Sequence, residues 1–215
     1  MRFLFDPDSL IMRFLSRFAD LVILNVIFLL SCLPLFTIGA ATTAMYDAVF
    51  RMDTEREGKV LPTYFRAFKS NFKQSTRVWL ILALLIGATC FNSVYFSNIV
   101  GTFGYILFLL SMVVLLNALF IFFYSFPLMS QFDNSIGNTL KNAWILSTAH
   151  LPRTVLIAVI NCFPVILMYV NLYAFFWLLF LWVFVYFAAA AYFNSRLLMK
   201  VFAPLKGEPV PGKEK

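Results

Sequence analysis

Charge is what this sequence lacks. From Val78 to Phe132 there is no Asp, Glu, Lys or Arg, and from Thr154 to Ser195 there is none either. A bilayer core about 30 Å thick takes about 20 apolar residues per helix, so the first run holds two spans and a turn and the second holds two closely joined spans. Hydrophobic residues are 62% of the chain and charged ones 13%, a balance that excludes a water-soluble domain. Strict apolar–polar alternation is also missing: Ile106 to Leu110 and Phe175 to Leu179 are apolar on every side. That excludes a transmembrane barrel and leaves an all-α integral membrane bundle.

Reactive groups are equally scarce. Cys32, Cys90 and Cys162 lie far apart in apolar stretches, with no Cys-x-x-Cys or Cys/His cluster, so neither a disulfide framework nor a metal site is expected. The one histidine, His150, stands beside Pro152 without an acidic or Cys neighbour and reads as a helix end rather than a general base. No phosphate-binding glycine loop, nucleophile elbow, His-Glu-x-x-His or carboxylate pair occurs, so an enzyme is not expected and no cofactor is implied. Ion-driven carriers place a carboxylate or His at mid-membrane, and the two long runs hold none. Only Asp20 and Asp47 come near. The net charge of +7 sits in short segments between apolar runs, which is membrane orientation rather than a nucleic-acid footprint.

What is present is a sorted set of cations. Arg2, Arg13 and Arg17 precede the first apolar stretch; seven basic residues lie between 47 and 77; Lys141 and Arg153 follow; five more close the chain from Arg196 onward. The connections near 97–102 and 171–172 have none and face away from the cytoplasm under the positive-inside rule. The stretch Leu21–Tyr46 is also uncharged but is interrupted by Pro34 and Gly39. Read as one span, it puts the N-terminus outside with three Arg. With an external turn at 34–39 the N-terminus is inside, and all 17 basic residues share one side. Charge favours the second arrangement, with both termini cytoplasmic, although its return leg is short and carries Asp47. Asp6, Pro7, Asp8 and Asp20 break up the start of the chain, so the first span reads as a retained helix rather than a cleaved signal.

The expected organisation is one membrane domain over residues 1–203. Spans fall near 10–33, 78–98, 103–126, 154–171 and 173–195, with 38–52 a short or re-entrant helix, followed by a disordered cytoplasmic tail at 204–215. Two interfacial helices are expected, near 61–77 and 136–151. In the first, Phe65, Phe68 and Phe72 form a stripe beside Arg66, Lys69, Lys73 and Arg77, the pattern of a helix lying among headgroups or meeting a partner. At an offset of 76, Ala67 falls on Ala143, Phe68 on Trp144 and Arg77 on Arg153. This suggests a two-fold internal repeat of interfacial helix plus two spans.

Two polar sets are candidate sites. Pro34, Thr37, Gly39, Thr42, Thr43 and Tyr46, with Asn25, make a small-residue face. Its plain role is close helix packing; its functional alternatives are a half-helix turned to a solute and a partner-docking face. Asn92, Asn117, Asn161 and Asn171 either bind helices together or line a sugar path with aromatic platforms.

The segment Cys32-Leu33-Pro34-Leu35-Phe36-Thr37-Ile38-Gly39-Ala40-Ala41-Thr42-Thr43-Ala44-Met45-Tyr46, the opening Asp8-Ser9-Leu10-Ile11-Met12-Arg13-Phe14-Leu15 and the run Phe68-Lys69-Ser70-Asn71-Phe72-Lys73-Gln74 resemble the YesL-like family of bacterial membrane proteins of unknown function, over roughly residues 5 to 200. The resemblance implies a companion of carbohydrate import, encoded beside sugar-binding proteins, ABC-type permeases and sensor kinases, and carries over no site residues. Three functions are open on this reading: a non-enzymatic accessory protein in the bacterial cytoplasmic membrane that binds permease subunits or a second copy of itself, a small-solute transporter or channel, and a membrane partner of a sensor kinase.

Overall fold

The computed structural model describes residues 10–53, 60–99 and 101–207. Its elements are α1 (Leu10–Cys32), a 3-10 turn (Leu35–Thr37), α2 (Ile38–Asp53), α3 (Val60–Ser97), α4 (Thr102–Gln131), α5 (Ile136–Ala149), α6 (Leu151–Val170), α7 (Leu172–Trp177) and α8 (Leu179–Lys206), whose turn Trp182–Tyr186 is π-helical. No strand occurs among the described residues. Five helices (α1, α3, α4, α6 and α8) are long and apolar enough to cross a membrane. α2, at 16 residues, is not among them.

Helix ends follow local chemistry. Ser135 caps α5 by accepting from the Asn138 amide, and Asn171 caps α7 by accepting from Ala174 at 3.0 Å. α5 and α6 are separated at His150 because Pro152, in the first turn of α6, has no N–H to continue a helix. Gly207 ends α8 in the left-handed region that favours glycine.

Packing is unequal along the bundle. α2 is buried almost throughout, from Gly39 to Phe50, as are Phe123–Met129 at the end of α4 and most of Ala188–Ala203 in α8. Leu24, Phe28, Val49, Phe50, Tyr64, Leu198 and Phe202 belong to this one core. By contrast α6 buries only Thr154 and Ile157, and the first half of α4 and the start of α8 present large apolar side chains outward. These outward surfaces face lipid, where apolar exposure costs nothing. Exposed Tyr95, Tyr105, Tyr169, Tyr173 and Trp177 crowd the end where α3 meets α4 and α6 meets α7, the position of an interfacial aromatic belt. The cations of α3 lie toward the opposite, well-packed end.

The order of contacts along α8 settles the path of α1 and α2. The Trp182 and Val183 carbonyls bond Asn25, Phe187 packs on Phe28, Asn194 bonds Tyr46, and Phe202 packs on Phe50. The α1 contacts, Asn25 and Phe28, fall together over Trp182–Ala188 and the α2 contacts follow them from Asn194 to Phe202, so the order along α1 and α2 is kept along α8 and α2 runs past it in the same sense. Residues 33–37 therefore break a single descending passage and do not form the external hairpin turn that the charge split favours. The described ends, Leu10 and Gly207, lie at opposite ends of the bundle. The physical reason is that α2 finds its apolar partners in the first half of α3 and the second half of α8, below the span.

Other boundaries differ from the sequence expectation. Residues 61–77 are not a separate helix in the headgroup plane; they are the first half of the continuous 38-residue α3. At 1.5 Å per residue α3 is about 57 Å long, close to twice the bilayer core. The span expected at 173–195 is instead α7, a turn at Leu178, and α8 running on to Lys206. Pro204–Lys206 are helical, and the rest of the expected tail, 208–215, lies outside the described residues. Burial does recur at the offset of 76: Thr63, Ala67 and Val78 are buried, and so are Thr139, Ala143 and Thr154. The break at His150, however, has no counterpart in α3.

Candidate functional site

Where α2 begins, three helices meet without room for side chains. A Cβ on Gly39 would stand 2.5 Å from the Ser75 carbonyl oxygen, 2.6 Å from Trp79 Cβ and 3.0 Å from Phe126 Cε1. Only glycine allows α2, α3 and α4 to approach this closely. The hydroxyls around it are used locally. Thr42 donates to the Ile38 carbonyl at 2.7 Å, and Thr43 meets both the Gly39 carbonyl at 3.0 Å and the Ser75 hydroxyl at 2.9 Å. Thr37 lies 2.5 Å from the Ser31 carbonyl and 2.6 Å from that of Pro34, and Trp79 Nε1 donates to Leu35 at 2.8 Å. From Thr37 to Tyr46 the small-residue face is therefore largely closed by protein, whereas Pro34 is exposed, and the N-terminus of α2 looks onto α3 and α4.

Asn25 is fully buried and serves another helix. Its Nδ2 donates to the carbonyls of Trp182 (3.1 Å) and Val183 (2.6 Å), while its Oδ1 accepts from the Ala188 amide at 2.8 Å. A π-helical turn shifts the helical ladder by one residue and leaves such groups short of partners. One side-chain amide from α1 completes the ladder of α8. Tyr46, at the other end of the set, accepts from Asn194 Nδ2 at 3.3 Å; burial pushes its hydroxyl up to about 12, the Asn194 bond opposing. Asn194 Oδ1 is buried without a partner.

The four remaining amides do not converge. Asn161 donates to Ile157 of its own helix at 2.7 Å, and Asn117 donates to Val113 at 2.9 Å while accepting from Trp144 Nε1 at 3.3 Å. Asn171 is the cap of α7, and Asn92 is exposed on α3. Two open grooves lie elsewhere, one lined by Tyr173, Trp177, Phe180 and Phe184, the other by Phe132, Asn134, Asn142 and Leu205.

The first half of α3 has two faces. Thr63, Tyr64 and Ala67 are buried, and Phe68 packs on the core and stacks on Tyr64 with ring centroids 6.1 Å apart. Phe72 follows Phe68 at 5.5 Å and is half-buried. The aromatic stripe is thus covered largely by protein, with Phe65 at 53% exposure the exception. Arg66, Lys69, Lys73 and Arg77 are exposed, and among the described residues none of them has an ion-pair partner. Asp47, by contrast, is buried and paired with Arg51 at 3.0 Å.

Sequence reasoning passed over Ser75, Trp79, Phe126 and Asn194, which complete these contacts. Ser75 carried a signal: it lies eight residues after Ala67 and three before Val78, on the buried side of α3. Nothing in the uniformly apolar stretch around Trp182 marked the π-turn.

The family described as "Protein of unknown function, DUF624" matches residues 21–93, about a third of the chain. That interval holds the second half of α1, the break, α2 and most of α3, including the Gly39 crossing. No curated protein and no solved structure matches the chain.

Proposed function

We propose that this is a non-enzymatic accessory protein of the bacterial cytoplasmic membrane, working beside a carbohydrate-uptake system by binding its membrane subunits. One observation carries the reading: most of the candidate polar side chains bond the protein's own backbone and hydroxyls and line no common cavity, while, among the described residues, the buried polar atoms left without a partner belong to Tyr64 and Thr76 of α3 and Asn194 of α8. Asn25 completes the ladder of α8, Asn161 and Asn117 bond carbonyls of their own helices, and Thr43 bonds Ser75. A path for a hydroxyl-rich solute needs such groups turned toward a common cavity. The association with carbohydrate uptake rests on the resemblance to YesL-like proteins, which the DUF624 match supports.

The orientation that fits best puts the basic end of α3 in the cytoplasm, with the C-terminus there and the N-terminus outside. Fourteen basic residues then lie inside and three outside. This reading departs from the arrangement with both termini cytoplasmic, and the order of the α1 and α2 contacts along α8 supports it.

Purification of the tagged full chain in mild detergent tests the proposal. Recovery of sugar-permease subunits in stoichiometric amount is expected. Solute flux into liposomes containing this protein alone would overturn it in favour of a transporter.

A further inference from the structure

The stem of α3, residues 60–77, leaves the membrane as a straight continuation of a span, and its outward face is a row of cations with one aromatic. Taking 100° per residue, Phe65, Lys69, Lys73, Arg66 and Arg77 fall within about 120° of one another. They are opposite the buried Tyr64, Ala67 and Ser75. We propose that this face docks an acidic surface of a protein partner, a reading that rests on the accessory role proposed above and names the chemistry of its partner.

Membrane headgroups account for only part of the row. The charge-free residues 78–97 take up a core of about 30 Å, and the headgroup layer adds about 5–8 Å on each side. Arg77 stands at that boundary and Lys73 about 6 Å beyond it. Lys69 is about 12 Å out and Arg66 about 16 Å, both past the headgroup layer; Lys69 stays within a Debye length of about 8 Å of it, and Arg66 stands at or beyond that length at physiological salt. Positive-inside orientation is already served by Arg77 and Lys73 at the boundary, so it does not require two more cations held outward on a packed helix. The outer pair is a complement for carboxylates. Phe65, exposed beside them, supplies the apolar contact that charged rims surround in protein interfaces.

The test uses the full chain in nanodiscs of uncharged lipid, with poly-L-glutamate as the probe and fluorescence anisotropy as the readout. Binding is expected to weaken as salt rises, and the double variant Arg66→Gln, Lys69→Gln to lose at least tenfold in affinity at unchanged thermal stability. A loss under twofold would overturn the proposal. A second arm counts anionic lipids retained by native mass spectrometry. If the outer-pair variant sheds anionic lipid but keeps poly-glutamate binding, the row belongs to the membrane and the proposal fails. Recovery of permease subunits unaffected by the outer-pair variant would also remove this surface, while leaving the accessory role standing.

Discussion

The backbone of Gly39 rests against the backbone of Ser75, so close that the missing Cβ would lie 2.5 Å from the Ser75 carbonyl oxygen. Backbone and the first carbon of Trp79 cannot rotate away as a flexible side chain can. Gly39→Ala is expected to force α2 off α3 and α4 and to cost about 1–3 kcal/mol. Thermal unfolding in detergent reads this, with Gly87→Ala as the control, since a Cβ there meets nothing within 4 Å. Equal stability of the two variants would refute the close packing.

Asn25→Leu keeps the volume but removes the side-chain bonds to the Trp182 and Val183 carbonyls and to the Ala188 amide. A loss of about 1–3 kcal/mol is expected, with faster hydrogen exchange at Ala188. Asn161→Leu, which removes one bond within a single helix, is expected to cost under about 1 kcal/mol. A reversed ranking would argue against the role given to Asn25.

Asp47 and Arg51 are unequal partners, the carboxylate buried and the guanidinium side chain 43% exposed. Arg51→Met leaves a buried charge unpaired and should destabilise by about 1–3 kcal/mol, whereas Asp47→Asn leaves a cation that water can reach and should cost less. Chemical denaturation of both variants gives the comparison.

Topology is read by cysteine labelling in a background with Cys32, Cys90 and Cys162 replaced by Ala. An impermeant maleimide is expected to label Ile11→Cys and Tyr169→Cys in intact cells. Phe36→Cys and Ser70→Cys should react only after the cells are opened. Labelling of Phe36→Cys from outside would restore the six-element arrangement.

Much of the bundle was legible from where charge stops. Val78 and Thr154 mark the starts of uncharged runs, and membrane spans follow from length alone. The two faces of 61–77 were visible as well, but not what would cover the aromatic one: Phe68 stacking on Tyr64 looks the same in sequence as Phe68 facing lipid. Pro34 and Gly39 announced an interruption without its sense, because a hairpin and a break need the same residues. Basic-residue counting then favoured the hairpin, since it weighs Arg13 and Arg17 like any others and cannot see that α2 has Ser75, Asn194 and Phe202 to pack against. The π-turn at Trp182 was illegible for a different reason. An inserted residue shows as a slip in periodicity, and a stretch apolar on every side has no periodicity to slip.

α3 is one unbroken rod, touched backbone to backbone at the Gly39 crossing near its middle. It is also held on both sides of that point: Tyr64 and Phe68 of the stem pack into the core, and Ser93 bonds Ser111 of α4 at 2.9 Å toward the other end. A load placed on the stem at Arg66 would therefore be shared with α2 and α4 rather than carried to the turn after Ser97 by α3 alone.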